Sequence, residues 1–176
     1  MPDARTRLVQ IIAADIARSG LGDRSMRDLA IAAGTSHRML NYHFGSRVGL
    51  VAAIVEHVEA TQRRLLIELA TPGIAAGDLV LALWTRLTSP ALLPSVRLFF
   101  ECVAAGSGVE FTSPWLDDAG AIAAELGLDI DAVDLRIGVA ITRGLLIDVL
   151  TTGDPGPANE AMLRYVEIAL PRKGRS

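Results

Sequence analysis

The 176-residue chain has one cysteine, three histidines and few aromatic side chains, which make up 5% of the sequence. Because a disulfide needs two cysteines, no internal disulfide can form, and the composition fits a reducing compartment. We expect Cys102 to be a buried, small apolar residue. The histidines lie at positions 37, 43 and 57, a spacing that matches no metal-binding motif. The sequence also has no glycine-rich loop of the kind that binds phosphate. This pattern disfavours a catalytic site, and we expect neither a metal nor a cofactor.

Long apolar runs and strand-type alternation are also absent from the sequence. No run approaches the ~20 residues of a membrane span, and the first residues, MPDARTR, lack the apolar core of a signal peptide. We therefore expect no membrane contact and a cytoplasmic location. Glycine and proline fall at regular intervals between helical patterns, which predicts an α-helical chain throughout.

The net charge of −3 is unevenly distributed along the chain. Residues 1–50 carry seven arginines and four aspartates, a balance of +3, whereas the remainder has a balance of −6. A basic N-terminal segment (residues 1–50, called the head below) followed by an acidic remainder suits a protein that contacts phosphate groups with one end only. About half of all residues are apolar, at 51%, and this surplus needs a core, a ligand cavity or a subunit interface.

Residues 25–47, SMRDLAIAAGTSHRMLNYHFGSR, have the spacing of a helix-turn-helix. Ala30 is small where a second helix would cross, Gly34 suits a turn with positive φ, and Leu40 would anchor the second helix. The apolar face is completed by Leu29 and Ala33. Such a unit inserts one helix into the major groove of DNA, so DNA binding is the leading hypothesis.

The helical pattern extends over the whole chain, and Ser25 with Asp28 three positions later is typical of a capping box. The predicted helices cover about 4–18, 25–33, 36–42, 46–70, 75–88, 92–106, 114–126, 129–152 and 156–169. The fold class is therefore all-α. We predict a three-helix DNA-binding domain over residues 1–46, a six-helix domain over 47–171, and a basic tail over 172–176.

The segment from Ser25 to Leu50 resembles the N-terminal signature of the tetracycline-repressor-type (TetR) family of bacterial transcriptional regulators. The matching positions are Ser25, Arg27, Leu29, Ala30, Ala33, Gly34, Ser36, Tyr42, His43, Phe44, Ser46 and Arg47. A second match, TRGLLIDVLTTGD at 142–154, is similar to the penultimate helix of many members. The resemblance implies a homodimeric regulator, usually a repressor, that leaves its operator when a small molecule binds. It also implies that the six-helix domain over 47–171 is the ligand-binding and dimerisation domain.

Four positions depart from the family pattern, at three places. Asn41 stands where a tyrosine is usual, Arg38-Met39 replaces a small Gly-Thr pair, and Val48 replaces a glutamate. Because the first two departures lie where bases are read, we expect an operator unlike that of well-known members.

The third helix is predicted to present its N-terminal residues to the base edges. Arg38 can pair with guanine, Asn41 can pair with adenine, and His37 can donate to either purine. Met39 shares this part of the helix, and Arg27 can reach a base or a flanking phosphate. The residues predicted to clamp phosphates are Ser25, Thr35, Ser36, Tyr42, His43 and Arg47. For His43, a packed and hydrogen-bonded place in the core is an equally open alternative.

Two further surfaces are predicted beyond the DNA-binding residues. The helix over 137–150 is apolar on more than one face, which favours burial by its own core and by a partner subunit. A central core helix in a monomer is the alternative. The candidate dimer residues are Gly138, Ile141, Gly144 and Leu145.

The side chains that could line an apolar effector pocket, or fill the core, are Trp84, Phe99, Phe100, Trp115 and Met162.

The leading functional hypothesis is a homodimeric regulator that binds a palindromic operator in double-stranded DNA and releases it when a small, apolar effector binds. The main alternative is a helical architectural or adaptor protein that contacts DNA without a ligand. An enzyme is disfavoured, since the sequence suggests no base for Cys102.

Overall fold

The computed structural model describes residues 3–106, 108, 110 and 112–170, and within them all regular structure is helical. These residues form nine helices and no strand. In chain order the helices are α1 (Ala4–Ser19), α2 (Met26–Ala32), α3 (His37–Phe44), α4 (Arg47–Leu69), α5 (Ala76–Leu87), α6 (Leu93–Ala104), α7 (Ser113–Leu126), α8 (Ala132–Thr152) and α9 (Gly156–Ala169). The predicted all-α class is confirmed. The predicted basic tail at 172–176 lies outside the described residues.

Local sequence determines where the helices of the head begin and end. The Ser25 hydroxyl accepts the Asp28 N–H while the Asp28 carboxylate accepts the Ser25 N–H, which confirms the predicted capping box. Helix α3 continues two residues beyond its predicted end, through Phe44. It stops at Gly45, whose φ of +72° is a conformation that glycine adopts with least strain.

The start of α8 differs more from the prediction. The helical pattern suggested a start near residue 129, but the helix begins at Ala132. The Asp131 carboxylate accepts hydrogen bonds from the N–H groups of Val133 and Asp134, both at 2.8 Å. An aspartate that satisfies two free N–H groups is a strong N-cap, and it fixes the first turn here.

The chain divides into two compact units. The first contains the described residues up to Thr61 together with Leu93–Glu110, and the second contains Gln62–Leu92 and the described residues from Thr112 onward. Helix α4 contributes residues to both units, whereas α6 belongs to the first unit and packs on α1. The boundaries of the two compact units thus differ from the predicted boundary between the DNA-binding and ligand-binding domains, at residues 46 and 47. That domain boundary stays a prediction.

The first unit has an apolar core to which all its helices contribute. Its most deeply buried side chains, each at most 1% exposed, include Ile12, Ile16, Leu29, Leu40, Leu50, Ile54, Val96 and Leu98. Each such side chain contributes about 1.5–3 kcal/mol when it is fully buried. Because Leu29 and Leu40 belong to this core, α2 and α3 are held as parts of a larger body.

In the second unit, α9 packs on α5 and on α8, and α8 also packs on α7. Leu83, Trp84 and Leu87 of α5 are buried with Met162 and Val166 of α9. Of the helices that the structure describes, none combines the length and the apolar character needed to cross a membrane.

Candidate nucleic-acid interface

The turn between α2 and α3 has the geometry that the sequence predicts. Gly34 adopts φ +62°, and the Thr35 N–H donates to the carbonyl oxygen of Ala30 at 2.9 Å. Ala30 and Leu40 are 2% and 0% exposed, so a small residue and an apolar anchor lie where the helices meet. Ala33 is only half-buried, because it lies at the end of α2 rather than on its packed face.

The junction between α3 and α4 depends on a glycine that the sequence analysis did not identify. A Cβ atom on Gly49 would overlap the carbonyl oxygen of Phe44, a backbone atom that cannot rotate away. The Ser46 hydroxyl accepts the Gly49 N–H at 3.1 Å and so caps the first turn of α4. This close approach brings the end of α3 directly against the start of α4. Nothing in the local sequence pattern distinguishes Gly49 from an ordinary helical glycine.

Helix α3 has one buried face and one exposed face. Leu40 and Phe44 are buried, and Ser36 caps the helix by accepting the Met39 N–H at 3.1 Å. The residues on the exposed face are His37, Arg38, Met39, Asn41 and Tyr42. Tyr42 is 81% exposed and Met39 43% exposed, which is unusual for side chains with so much apolar surface. The predicted base-reading residues therefore share one solvent-facing surface.

Two of these residues contact each other. The Asn41 Nδ2 and His37 Nε2 atoms are 3.3 Å apart, one helical turn from each other. With Nδ2 as the donor and Nε2 as the acceptor, the Asn41 carbonyl oxygen keeps its acceptor capacity. The pair thus orients the amide along the exposed face before any base is present.

His43 lies at the edge of this surface and is half-buried. Its ring is edge-on to Tyr42, with centroids 5.1 Å apart, and tilted against Phe44, with centroids 6.1 Å apart. Both alternatives from the sequence, a phosphate contact and a packed position, are compatible with this placement.

The residues predicted to contact phosphates differ in their exposure and in the hydrogen bonds that they already form within the protein. The Ser25 hydroxyl is within the capping box, where it donates to the Asp28 carboxylate at 2.7 Å. Hydrogen bonds from Ser25 lower the pKa of Asp28 below its usual range. Thr35 is half-buried in the turn and Ser36 is exposed at the cap of α3. Arg27 is exposed on α2.

Arg47 has a structural contact that the sequence did not reveal. Its Nε donates to the carbonyl oxygen of Arg24 at 3.0 Å, and its Nη2 donates to that of Gly22 at 2.8 Å. These bonds tie the loop between α1 and α2 to the first turn of α4. A second tie comes from α6, where the Glu101 carboxylate accepts the Leu21 N–H at 3.0 Å. The predicted phosphate contact of Arg47 therefore has to coexist with these two bonds.

Cys102 is next to Glu101 and fully buried, as the sequence predicts. Burial, with a smaller contribution from the Glu101 charge, raises the pKa of its thiol to about 12. The sulfur is thus neutral at physiological pH and inaccessible, whereas a nucleophilic cysteine needs an exposed thiolate. Among the described residues, no group of three or more His, Cys, Asp or Glu side chains is placed to hold a metal ion.

The predicted effector-lining residues are distributed over both units. Phe99 is buried and Phe100 half-buried in the first unit, with ring centroids 5.1 Å apart. Trp84, Trp115 and Met162 are buried in the second unit, at 4%, 8% and 0% exposure. The Trp84 Nε1 donates to the Asn159 side chain at 2.7 Å, a contact that joins α5 to α9.

The predicted dimer residues on α8 do not all face the same way. A Cβ on Gly138 would lie 3.0 Å from the Tyr165 hydroxyl, so this glycine allows close packing against α9 of the same chain. Ile141 and Leu145 are half-buried. Gly144 is exposed, with no atom within 4 Å of an added Cβ.

A continuous apolar stripe instead follows the exposed side of α8. Its members, spaced three or four residues apart, are Val133, Ile137, Ala140, Gly144 and Ile147. Val133, Ile137 and Ile147 are 65%, 44% and 47% exposed. The sequence analysis noted the apolar character of this helix but did not identify Val133 or Ile147, whose three-and-four spacing is the signal that finds them.

Comparison with known proteins covers both the head and the whole chain. Residues 13–54 match the family model of the bacterial regulatory proteins of the tetR family. A transcriptional regulator from Rhodococcus sp. Rha1 is 18% identical, with 95% of this chain and 96% of that chain covered at a TM-score of 0.75. No curated protein matches the chain.

Two further solved structures share the fold. The multidrug binding protein EbrR, complexed with ethidium, is 21% identical over 93% of this chain and 98% of its own, with a TM-score of 0.72. SmeT, the repressor of a multidrug efflux pump of Stenotrophomonas maltophilia, is 18% identical over 98% of this chain and 92% of its own, with a TM-score of 0.67. At these identities the likeness concerns the fold.

Proposed function

Since the chain carries the N-terminal helix-turn-helix domain of the tetR family of bacterial regulatory proteins, we propose that it represses transcription by binding a palindromic operator as a homodimer. The observation that carries this proposal is the two-sided character of α3. One face is anchored by Leu40 and Phe44, while the other presents polar and apolar side chains to solvent. A rigidly held helix with an exposed, chemically mixed face is what readout in the major groove needs.

Within the proposed complex, Arg38 reads a guanine through its O6 and N7 atoms, because its guanidinium is exposed at the start of α3. Asn41 and His37 read an adjacent purine as a pair, oriented by their mutual contact. Met39 meets the methyl group of a thymine, an apolar contact that suits its exposed thioether. The backbone phosphates are bound by residues that are exposed or half-buried: Arg27, Thr35, Ser36, Tyr42, His43 and Arg47. Ser25 joins them when its hydroxyl proton turns from the Asp28 carboxylate to a phosphate.

The proposed dimer forms through α8. An apolar stripe over Val133, Ile137, Ala140, Gly144 and Ile147 is costly to leave in water, and Gly144 lets two helices approach closely. A two-fold axis through this stripe gives each subunit the same contact surface. The two heads then read half-sites about 34–36 Å apart, or a multiple of that distance.

The proposed regulator responds to a small apolar effector. An effector that binds only the subunit arrangement unsuited to DNA lowers operator affinity by the difference between its two binding energies. A coupling of about 1–3 kcal/mol weakens operator binding by about 5–150-fold. Binding of ethidium by EbrR, a protein of the same fold, supports a flat aromatic compound as the first probe.

The proposal is tested by selecting bound duplexes from a random library and measuring affinities at physiological salt. We expect the selected duplex to bind about 10³-fold more tightly than a scrambled one, as in sequence-specific proteins. Equal affinities would overturn the repressor proposal and favour the architectural alternative. Failure to bind any duplex would exclude both functions.

Effector binding is tested separately, without DNA, because ethidium also intercalates between base pairs. Trp84 and Trp115 are both in the second unit, so their fluorescence reports ligands that bind near it. Trp115→Phe and Trp84→Phe variants assign any quenching to one indole. An unchanged signal over a full titration with ethidium would exclude binding of this compound beside either indole of the second unit.

A further inference from the structure

Arg5, in the first turn of α1, lies beside the end of the exposed helix α3. Its guanidinium carbon is 5.3 Å from the centre of the Phe44 ring, within the range of a cation–π contact. Phe44 is the last residue of α3 and only 8% exposed, so its ring is a fixed platform. Arg5 and Phe44 are far apart in the chain, so their contact is not evident from the sequence.

The arginines of the head differ in what their side chains bind. Arg18 and Arg24 pair with Asp15 at 3.5 and 2.6 Å, and Arg47 donates to backbone carbonyls. Arg5 is exposed, and among the described residues no carboxylate lies within ion-pair distance of it. Its donors are therefore available to an external anion, whereas three of the head's other arginines are engaged within the protein.

The charges around Arg5 are set by two neighbours, Asp3 and His43. Asp3 caps α1, where its carboxylate accepts the Thr6 N–H at 2.6 Å. Hydrogen bonds from Thr6 lower the pKa of Asp3, and the charges of Arg5 and His43 lower it further, so all three groups lie within electrostatic reach. One carboxylate, already engaged by the helix, thus faces two groups that can carry positive charge.

We infer that Arg5 is a further DNA contact, which binds a backbone phosphate flanking the bases that α3 reads. A cation–π contact engages the charge of the guanidinium without using its N–H donors, so those donors stay able to bind a phosphate bidentately. Phe44 thereby links the contact on α1 to the position of α3. This inference rests on the proposed DNA-binding function.

The test compares wild type with Arg5→Ala, Arg5→Lys and the matched control Arg18→Ala. Arg18 is in the last turn of the same helix, and its removal also deletes one positive charge. Affinities for the selected duplex and for a random duplex are measured by fluorescence anisotropy between 50 and 200 mM salt, the range over which phosphate contacts are strongly screened.

Loss of one phosphate contact lowers the slope of log affinity against log salt by about 0.9 on both duplexes. The affinity advantage of wild type over Arg5→Ala therefore shrinks about 3.5-fold across this range. We expect Arg5→Lys to keep the wild-type slope with weaker binding, and Arg18→Ala to resemble wild type.

An unchanged slope in Arg5→Ala would overturn the inference while leaving the proposed function intact. An equal loss in Arg18→Ala would also overturn it, because the effect would then be one of net charge. If wild type bound both duplexes equally, specific regulation would fail, but the slope of Arg5→Ala would still decide the inference. A wild type that bound neither duplex would overturn both.

Discussion

Replacing Gly49 with alanine is expected to destabilise the head through a single added methyl group. In an ordinary helix position this substitution stabilises by about 1 kcal/mol, because alanine restricts the unfolded chain and favours helix. At Gly49 the new Cβ overlaps the Phe44 carbonyl oxygen, which belongs to the backbone at the end of α3. Overpacking costs about 1–3 kcal/mol, and a rigid neighbour places this site at the upper end. The net expectation is a loss of about 2 kcal/mol.

The measurement is urea unfolding of the purified protein followed by circular dichroism, with Gly120→Ala as the matched control. Gly120 is also within a helix, but its added Cβ would meet only the end of the Leu135 side chain at 3.8 Å, an ordinary contact. The control is expected to gain up to about 1 kcal/mol. If Gly49→Ala were as stable as Gly120→Ala, the close approach of α3 and α4 would be refuted.

Four other expectations follow from the site. Arg38→Ala is expected to cost about 1–3 kcal/mol of operator affinity and to relax the preference at one base pair, which binding to a panel of single-base operator variants measures. An equal loss of affinity on all duplexes would instead make Arg38 a phosphate contact. Arg47→Ala removes two charge-assisted bonds and lowers stability by about 1.5–3 kcal/mol in urea unfolding, whatever its effect on DNA binding; unchanged stability would contradict a structural role. Ile137→Glu places a charge in the apolar stripe of α8 and yields monomers in analytical ultracentrifugation, whereas dimers of unchanged stability would place the interface elsewhere. Because the folded-state pKa of Asp28 is lowered, its carboxylate stabilises the protein at pH values above its ordinary pKa of about 3.9, and this contribution is lost as the pH falls through the folded-state pKa. Asp28→Asn is therefore expected to reduce the loss of unfolding free energy at acid pH, measured by urea unfolding over a pH series. An unaltered pH dependence would exclude this contribution.

The helix-turn-helix could be predicted from sequence because its determinants are local. Ala30, Gly34 and Leu40 are specified by the geometry of a short turn, and the capping box of Ser25 and Asp28 spans only three residues. Each of these features appears in the structure as predicted. Helical periodicity likewise predicted the all-α class.

The parts that sequence reasoning missed depend on contacts between distant residues. Glu101 binds a backbone N–H eighty positions away, and Arg47 binds carbonyls about twenty-five positions away. Gly49 looks like any helical glycine until the carbonyl of Phe44 is placed beside it. Periodicity identifies which face of a helix is apolar, but it does not say what packs there. For the same reason the packing of Gly138 against Tyr165 of its own chain is not evident from the sequence, and its place in a dimer interface stays a prediction.

The loop between α1 and α2 is held by bonds to its main chain rather than to its side chains. Glu101 binds the N–H of Leu21, and Arg47 binds the carbonyl oxygens of Gly22 and Arg24. Every amino acid supplies a carbonyl oxygen, and every one except proline supplies an N–H. These bonds therefore depend on the side chains at positions 47 and 101 and on the main-chain atoms of the loop, where Gly22 has a φ of +46° that favours glycine. A substitution at position 47 or 101 would thus alter the conformation of a loop to which neither residue belongs.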